Sequence, residues 1–73
     1  MEDPRAYIRI ADQVRQQITA GRLGPGQPVP SITTLTQEHG VARQTAAKAL
    51  QLLESEGLIY RVPGLGYYVS ERQ

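Results

Sequence analysis

Apolar residues in this chain recur at steps of three and four in three separate windows, and alternate near its end. In the first window Tyr7, Ile10, Ala11, Val14 and Ile18 form one stripe, with Arg9, Asp12, Gln13, Arg15, Gln16 and Gln17 on the other faces. This pattern predicts an amphipathic helix of about four turns, starting near Arg5 after Pro4. Gly21 stands where a glycine can end a helix in the left-handed conformation, and Gly24-Pro25-Gly26-Gln27-Pro28 keeps the chain from resuming one. Leu23 and Val29 are expected to face the core. Residues 27–29 are extended and could form a short edge strand, a position that Pro28 and Pro30 tolerate.

The second and third windows, Ile32 to Glu38 and Thr45 to Leu53, are joined by His39-Gly40-Val41-Ala42-Arg43. Ser31 suits the N-cap of the second helix, its hydroxyl free to accept from the amide of Thr33 or Thr34. The capping box is incomplete, because the third residue on is Thr34 rather than Glu or Gln. Ile32 and Leu35 anchor this helix, Gly40 supplies a positive-φ exit, and Val41 plugs the angle between the helices. The third helix is expected over Arg43 to Glu56, with Ala46, Ala49, Leu50 and Leu53 as its stripe and Gly57 as its stop. The small Ala46 and Ala49 let it pack close to the first helix. The two helices and their joint have the sequence shape of a helix-turn-helix, and Arg43, at the exposed N-terminus of the second, is placed to meet DNA bases first.

Leu58 to Val62 is rich in β-branched and aromatic residues, Pro63-Gly64-Leu65-Gly66 reads as a turn, and Tyr67 to Val69 as a second strand. The expected fold is therefore mainly α with a small β-hairpin: a winged helix-turn-helix of three helices and a two-stranded wing. It occupies residues 5–70, with 1–4 and 71–73 as tails.

Composition removes other classes. A chain of 73 residues has room for one domain, and at that size only about 60% of the unfolded surface is buried on folding. With no Cys, one His and no clustered carboxylates, no disulfide, metal site or hydrolytic centre is expected. No base is paired with a nucleophile, and the Gly21 to Gly26 segment lacks the Gly-Lys-Ser/Thr ending of a P-loop, so neither an enzyme nor a cofactor is expected. No apolar run approaches the roughly 18 residues of a membrane span, and Met1-Glu2-Asp3-Pro4-Arg5 is too acidic for a signal peptide. The expectation is a soluble cytoplasmic protein with no membrane partner.

Charge points toward DNA only locally. The net charge is +1 and the pI about 8.2, below the value above roughly 9 typical of a strongly basic nucleic-acid binder. Yet Val41 to Leu53 carries Arg43 and Lys48 and no acid, while the acids sit at Glu2, Asp3, Asp12, Glu38, Glu54, Glu56 and Glu71. A basic face on the third helix is compatible with docking on phosphate.

From Tyr7 to Val69 the chain resembles the DNA-binding domain of the GntR family of bacterial transcription regulators. The resemblance rests on Tyr7-Ile8-Arg9-Ile10-Ala11, Gly21-Arg22-Leu23-Gly24-Pro25-Gly26, Val29-Pro30-Ser31, and Gly40-Val41-Ala42-Arg43-Gln44-Thr45. It continues through Ala49-Leu50, Leu52-Leu53-Glu54-Ser55-Glu56-Gly57-Leu58-Ile59 and Gly64-Leu65-Gly66-Tyr67-Tyr68-Val69. Each piece is weak alone; their order and spacing are specific. The resemblance implies sequence-specific binding of double-stranded operator DNA by a repressor, with the third helix in the major groove and the wing in the minor groove. It aligns Arg43 with the base-reading arginine, able to fork onto O6 and N7 of guanine, worth about 1–3 kcal/mol of discrimination. Gln44 falls at a variable position and could pair with adenine, whereas Thr45 aligns with a phosphate-binding threonine. Gly66, with Gly64 beside it, aligns with the wing tip that approaches the minor-groove floor. Thr33 and Thr34 are candidates for further phosphate contacts.

Departures from the family pattern weaken the expected grip. The family often has arginine where this chain has Thr33 and Ala47, serine or threonine at Ala42, and a basic residue at Leu65. Ala42 cannot cap the third helix with its side chain, which costs about 1 kcal/mol relative to serine. A single copy is expected to bind weakly.

Blander readings stand beside several residues. Arg43 and Lys48 could each be solvated charges, and Ser31 is first a cap and only then a phosphate donor. Tyr7 and Tyr60 read as packing residues, and His39 as a partner for a helix C-terminus. Tyr67 and Tyr68 alternate faces, one packed and one exposed, and Tyr67 stands as the DNA-side candidate. A winged helix used for protein contact with little DNA affinity is the alternative function. Binding as a homodimer, and whether a C-terminal domain supplies a small-molecule effector site, remain open from sequence.

Overall fold

The computed structural model describes residues 3–71 and contains α1 (Ala6–Thr19), α2 (Ile32–His39), α3 (Arg43–Ser55), β1 (Ile59–Val62) and β2 (Gly66–Val69). The expected third helix ends one residue early, with Glu56 as its C-cap. In the wing, β1 starts one residue later than expected, at the base, and β2 one residue earlier, which extends the pairing to Val62 and Gly66 at the tip.

In α1 the stripe of Ala6, Ile10, Ala11, Val14 and Ile18 is buried, and Tyr7 is half-buried at its edge. The Asp3 carboxylate ties down the start of the helix. It accepts from the Arg5 amide at 2.8 Å and from Arg9 Nη1 at 2.7 Å, which together hold its pKa below the ordinary aspartate value.

The segment before α2 lies along β2. Gly26 N donates to the Val69 carbonyl, Val69 N to Gln27, and Val29 N to Tyr67, all at 2.9–3.0 Å. The edge strand expected at 27–29 is reduced to a single bridge, Pro28 to Tyr68; Gln27 and Val29 turn their backbone groups to β2, so Pro28 and Pro30 fall on the outward side of the edge, where no amide hydrogen is needed. Val29 is buried there and closes the core from the sheet side.

Ser31 caps α2 as its sequence position suggests, accepting from the Thr34 amide at 3.0 Å. Gly40 ends the helix at φ +65°, and an added Cβ would meet nothing within 4 Å. The glycine is therefore favoured by backbone conformation and not by space. Val41 packs against the core in the turn that follows.

Ala46, Ala49, Leu50 and Leu53 of α3 are all fully buried. The two alanines bring α3 close to α1, against which it makes its main packing, and each buried leucine contributes about 1.5–3 kcal/mol. Ile59 and Val69, directly opposed in the antiparallel wing, complete this core with Leu35 of α2. At the far end of α3, Arg15 of α1 grips Glu56 in a two-pronged pair, Nε to Oε1 at 3.0 Å and Nη2 to Oε2 at 2.8 Å, and also contacts Asp12. These bonds raise the Arg15 pKa, Glu56 contributing most.

Candidate nucleic-acid interface

The helix-turn-helix and the wing face each other across an open groove of about 300 Å³. On one wall are Ser31 and Thr33 from the start of α2 and Arg43 from the start of α3; on the other are Arg61, Gly64, Leu65, Gly66 and Tyr67 of the wing. Six sequence candidates thus meet in one place: Ser31, Thr33, Arg43, Gly64, Gly66 and Tyr67.

Strand alternation explains what the wing contributes. Ile59 pairs with Val69 and Arg61 with Tyr67. Side chains two apart share a face, so the second pair lies on the same side as the buried first pair, one step nearer the tip. There it overhangs the groove. The intervening pair, Tyr60 and Tyr68, lies on the outer face, with ring centroids 6.2 Å apart and the planes inclined by 29°. The expectation of one packed and one exposed tyrosine is corrected by this pairing. Tyr67 is half-buried where it packs against the core while still lining the groove, and Tyr68 is half-buried through its stack on Tyr60.

Arg43 is exposed, and its Nη1 donates to Thr33 Oγ1 at 3.2 Å. Among the described residues, ion pairs engage Arg9 and Arg15 on α1, whereas Arg43, Lys48 and Arg61 have no carboxylate within salt-bridge distance. Among the described residues, carboxylates thus neutralise Arg9 and Arg15 of α1, while Arg43 and Lys48 of α3 and Arg61 of the wing keep their charge unpaired.

Thr34 is not part of the groove. Its hydroxyl accepts from Ser31 Oγ at 3.0 Å and its amide donates to the same oxygen, so it belongs to the cap. Gln44, Thr45 and Lys48 lie together with Ala47 and Gln51 along α3. Lys48 is neither a freely solvated charge nor directed into the groove: its ammonium lies 5.0 Å from the centre of the Tyr7 ring. The partner comes from α1, where sequence spacing along α3 does not reach.

Arg61 also lines the groove and is a candidate that sequence reading missed. Its signal was available in the alternation of the wing, since it stands two residues beyond the apolar Ile59. No group of three or more His, Cys, Asp or Glu residues among the described residues could hold a metal ion, and no described helix is long and apolar enough to cross a membrane.

Three helices with a glycine-turned joint, followed by a two-stranded hairpin, define a winged helix-turn-helix domain. Residues 6–69 match the family described as bacterial regulatory proteins, gntR family, and the chain belongs to that family. It is 40% identical over 65 residues to the HTH-type transcriptional repressor NagR of Bacillus subtilis (strain 168), covering 89% of this chain and 27% of that protein. It is 39% identical over 67 residues to the mannosyl-D-glycerate transport/metabolism system repressor MngR of Escherichia coli (strain K12), covering 92% of this chain and 28% of the relative. The chain thus spans little more than a quarter of the length of these curated relatives. Among solved structures, the DNA-binding domain of AraR in complex with operator ORR3 superimposes with a TM-score of 0.86 at 35% identity, covering 89% of this chain and 78% of that one.

Proposed function

We propose that this chain is the operator-reading domain of a bacterial transcriptional repressor, binding double-stranded DNA with α3 in the major groove and the wing in the minor groove. The observation that carries the reading is the shared groove, where Arg43 of α3 and Arg61 of the wing stand without acidic partners among the described residues, beside the glycines of the wing tip. The roles of NagR and MngR as repressors, and the operator bound to the AraR domain, support it.

In this reading Arg43 forks onto guanine, Gln44 reads the neighbouring base, and Thr45 and Ser31 bond phosphates. Gly64 and Gly66 let the wing backbone approach the minor groove, with Tyr67 and Arg61 against the adjoining backbone. Two copies occupy two half-sites of a palindromic operator, because doubling a small contact surface restores affinity that one copy lacks.

Selection of bound sites from random DNA, followed by sizing of the complex, tests the proposal. A palindromic consensus bound by two copies is the expected result, and Arg43→Ala should abolish the preference while leaving the circular dichroism spectrum intact. Recovery of no consensus, with binding insensitive to salt, would instead indicate a winged helix used for protein contact.

A further inference from the structure

We propose that Thr33 is the positioning residue for Arg43, holding its guanidinium toward the groove before DNA arrives and thereby setting how strongly α3 discriminates guanine. The inference rests on the base-reading role proposed above for Arg43, and assigns Thr33 a task different from the phosphate contact its sequence position suggests.

The bond between Arg43 Nη1 and Thr33 Oγ1 joins the first turns of two helices, residues ten apart in sequence. Both ends are anchored. The Ser31 cap organises the start of α2, Gly40 and Val41 define the bend, and α3 is held to the core by four fully buried side chains. Threonine is itself stiff, since its branched Cβ restricts χ1. The neighbouring hydroxyl, that of Thr34, is engaged with Ser31, which leaves Thr33 as the α2 hydroxyl directed to Arg43.

The chemistry of the acceptor matters. A carboxylate here would orient the guanidinium and also neutralise it, as Glu56 and Asp12 do for Arg15. A hydroxyl occupies one of the five guanidinium N–H groups and leaves the charge and the other donors available for O6 and N7 of guanine. Orientation before binding lowers the conformational entropy lost on binding. That gain is realised only where Arg43 meets its base.

Anisotropy measurements can separate positioning from phosphate contact. The probes are the duplex recovered by selection and the same duplex with 7-deazaguanine at the base read by Arg43, which removes the N7 acceptor. Thr33→Val should weaken binding to the natural duplex by about three- to tenfold, the range of one hydrogen bond. On the 7-deaza duplex, where O6 still accepts, the loss should be smaller, and in an Arg43→Ala background it should be less than about twofold. Thr33→Ser should restore most of the affinity, with an unchanged salt slope. Effects additive with Arg43→Ala would make Thr33 a phosphate contact and overturn the proposal, as would an unchanged affinity. If Arg43→Ala itself keeps full discrimination, the base-reading role fails; if it loses discrimination while Thr33→Val keeps it, only the positioning role fails.

Discussion

The ammonium of Lys48 lies 5.0 Å from the centre of the Tyr7 ring, a cation over an aromatic face that joins α3 to α1. Lys48 thus serves the helix packing as well as the charge of α3. Lys48→Gln is expected to destabilise the fold by about 0.5–1 kcal/mol, as exposed cation–π contacts do. Tyr7→Leu, which keeps apolar bulk, should make a subsequent Lys48→Gln change nearly neutral. Thermal melts of the two single variants and the double variant check this, and strict additivity would count against the contact.

Arg61 should behave differently, because it is exposed, lines the groove and has no carboxylate partner among the described residues. Arg61→Gln is expected to change stability by less than about 0.5 kcal/mol, as surface substitutions do. It should weaken DNA binding similarly for all sequences and lower the slope of log affinity against log salt by about 0.9 for each phosphate that the variant no longer neutralises. Titrations over a range of salt concentrations would reveal it; an unaltered slope removes Arg61 from the interface.

Gly40 takes φ +65° with open space around its missing Cβ. Gly40→Ala should therefore cost about 1–2 kcal/mol through backbone strain alone, and Gly40→Asn less, since asparagine tolerates the left-handed region. Denaturant midpoints of the two variants give the order. A far larger loss with alanine would mean that the turn cannot absorb even a methyl group.

Asp3 provides a pH signature at the start of α1. Its folded pKa is depressed, chiefly by the Arg5 amide and next by Arg9, so its contribution is present above the unfolded value near 3.9 and is lost as pH falls through the lower folded value. Amide exchange in the first turn of α1 should accelerate as the pH is lowered through this range, beyond the intrinsic pH dependence of exchange. Asp3→Asn should abolish that excess. The same acceleration in the variant would place its origin elsewhere.

Much of the fold was legible in the order of residues because its causes are local. The three-and-four spacing of Ile10, Val14 and Ile18 defines a buried face, Ser31 satisfies an amide three residues on, and Gly40 permits a backbone angle that other residues resist. These relations span a helical turn or less, and spacing alone describes them. Position alone marked Ser31 as a cap and Arg43 as a candidate at the start of α3, whereas Thr33, Gly64 and Gly66 became candidates through the resemblance to the family.

Their meeting in one groove, and the partners of individual side chains, were decided by tertiary structure. Lys48 turns to Tyr7, Arg15 to Glu56, Arg43 to Thr33, and Arg61 overhangs the groove beside Tyr67. A long cationic side chain can reach in many directions at little energetic difference, and what selects one is the acceptor or ring that another element brings within reach. Sequence periodicity determines which face of a helix or strand is buried; only the packing of α1, α2, α3 and the wing determines what each polar face meets.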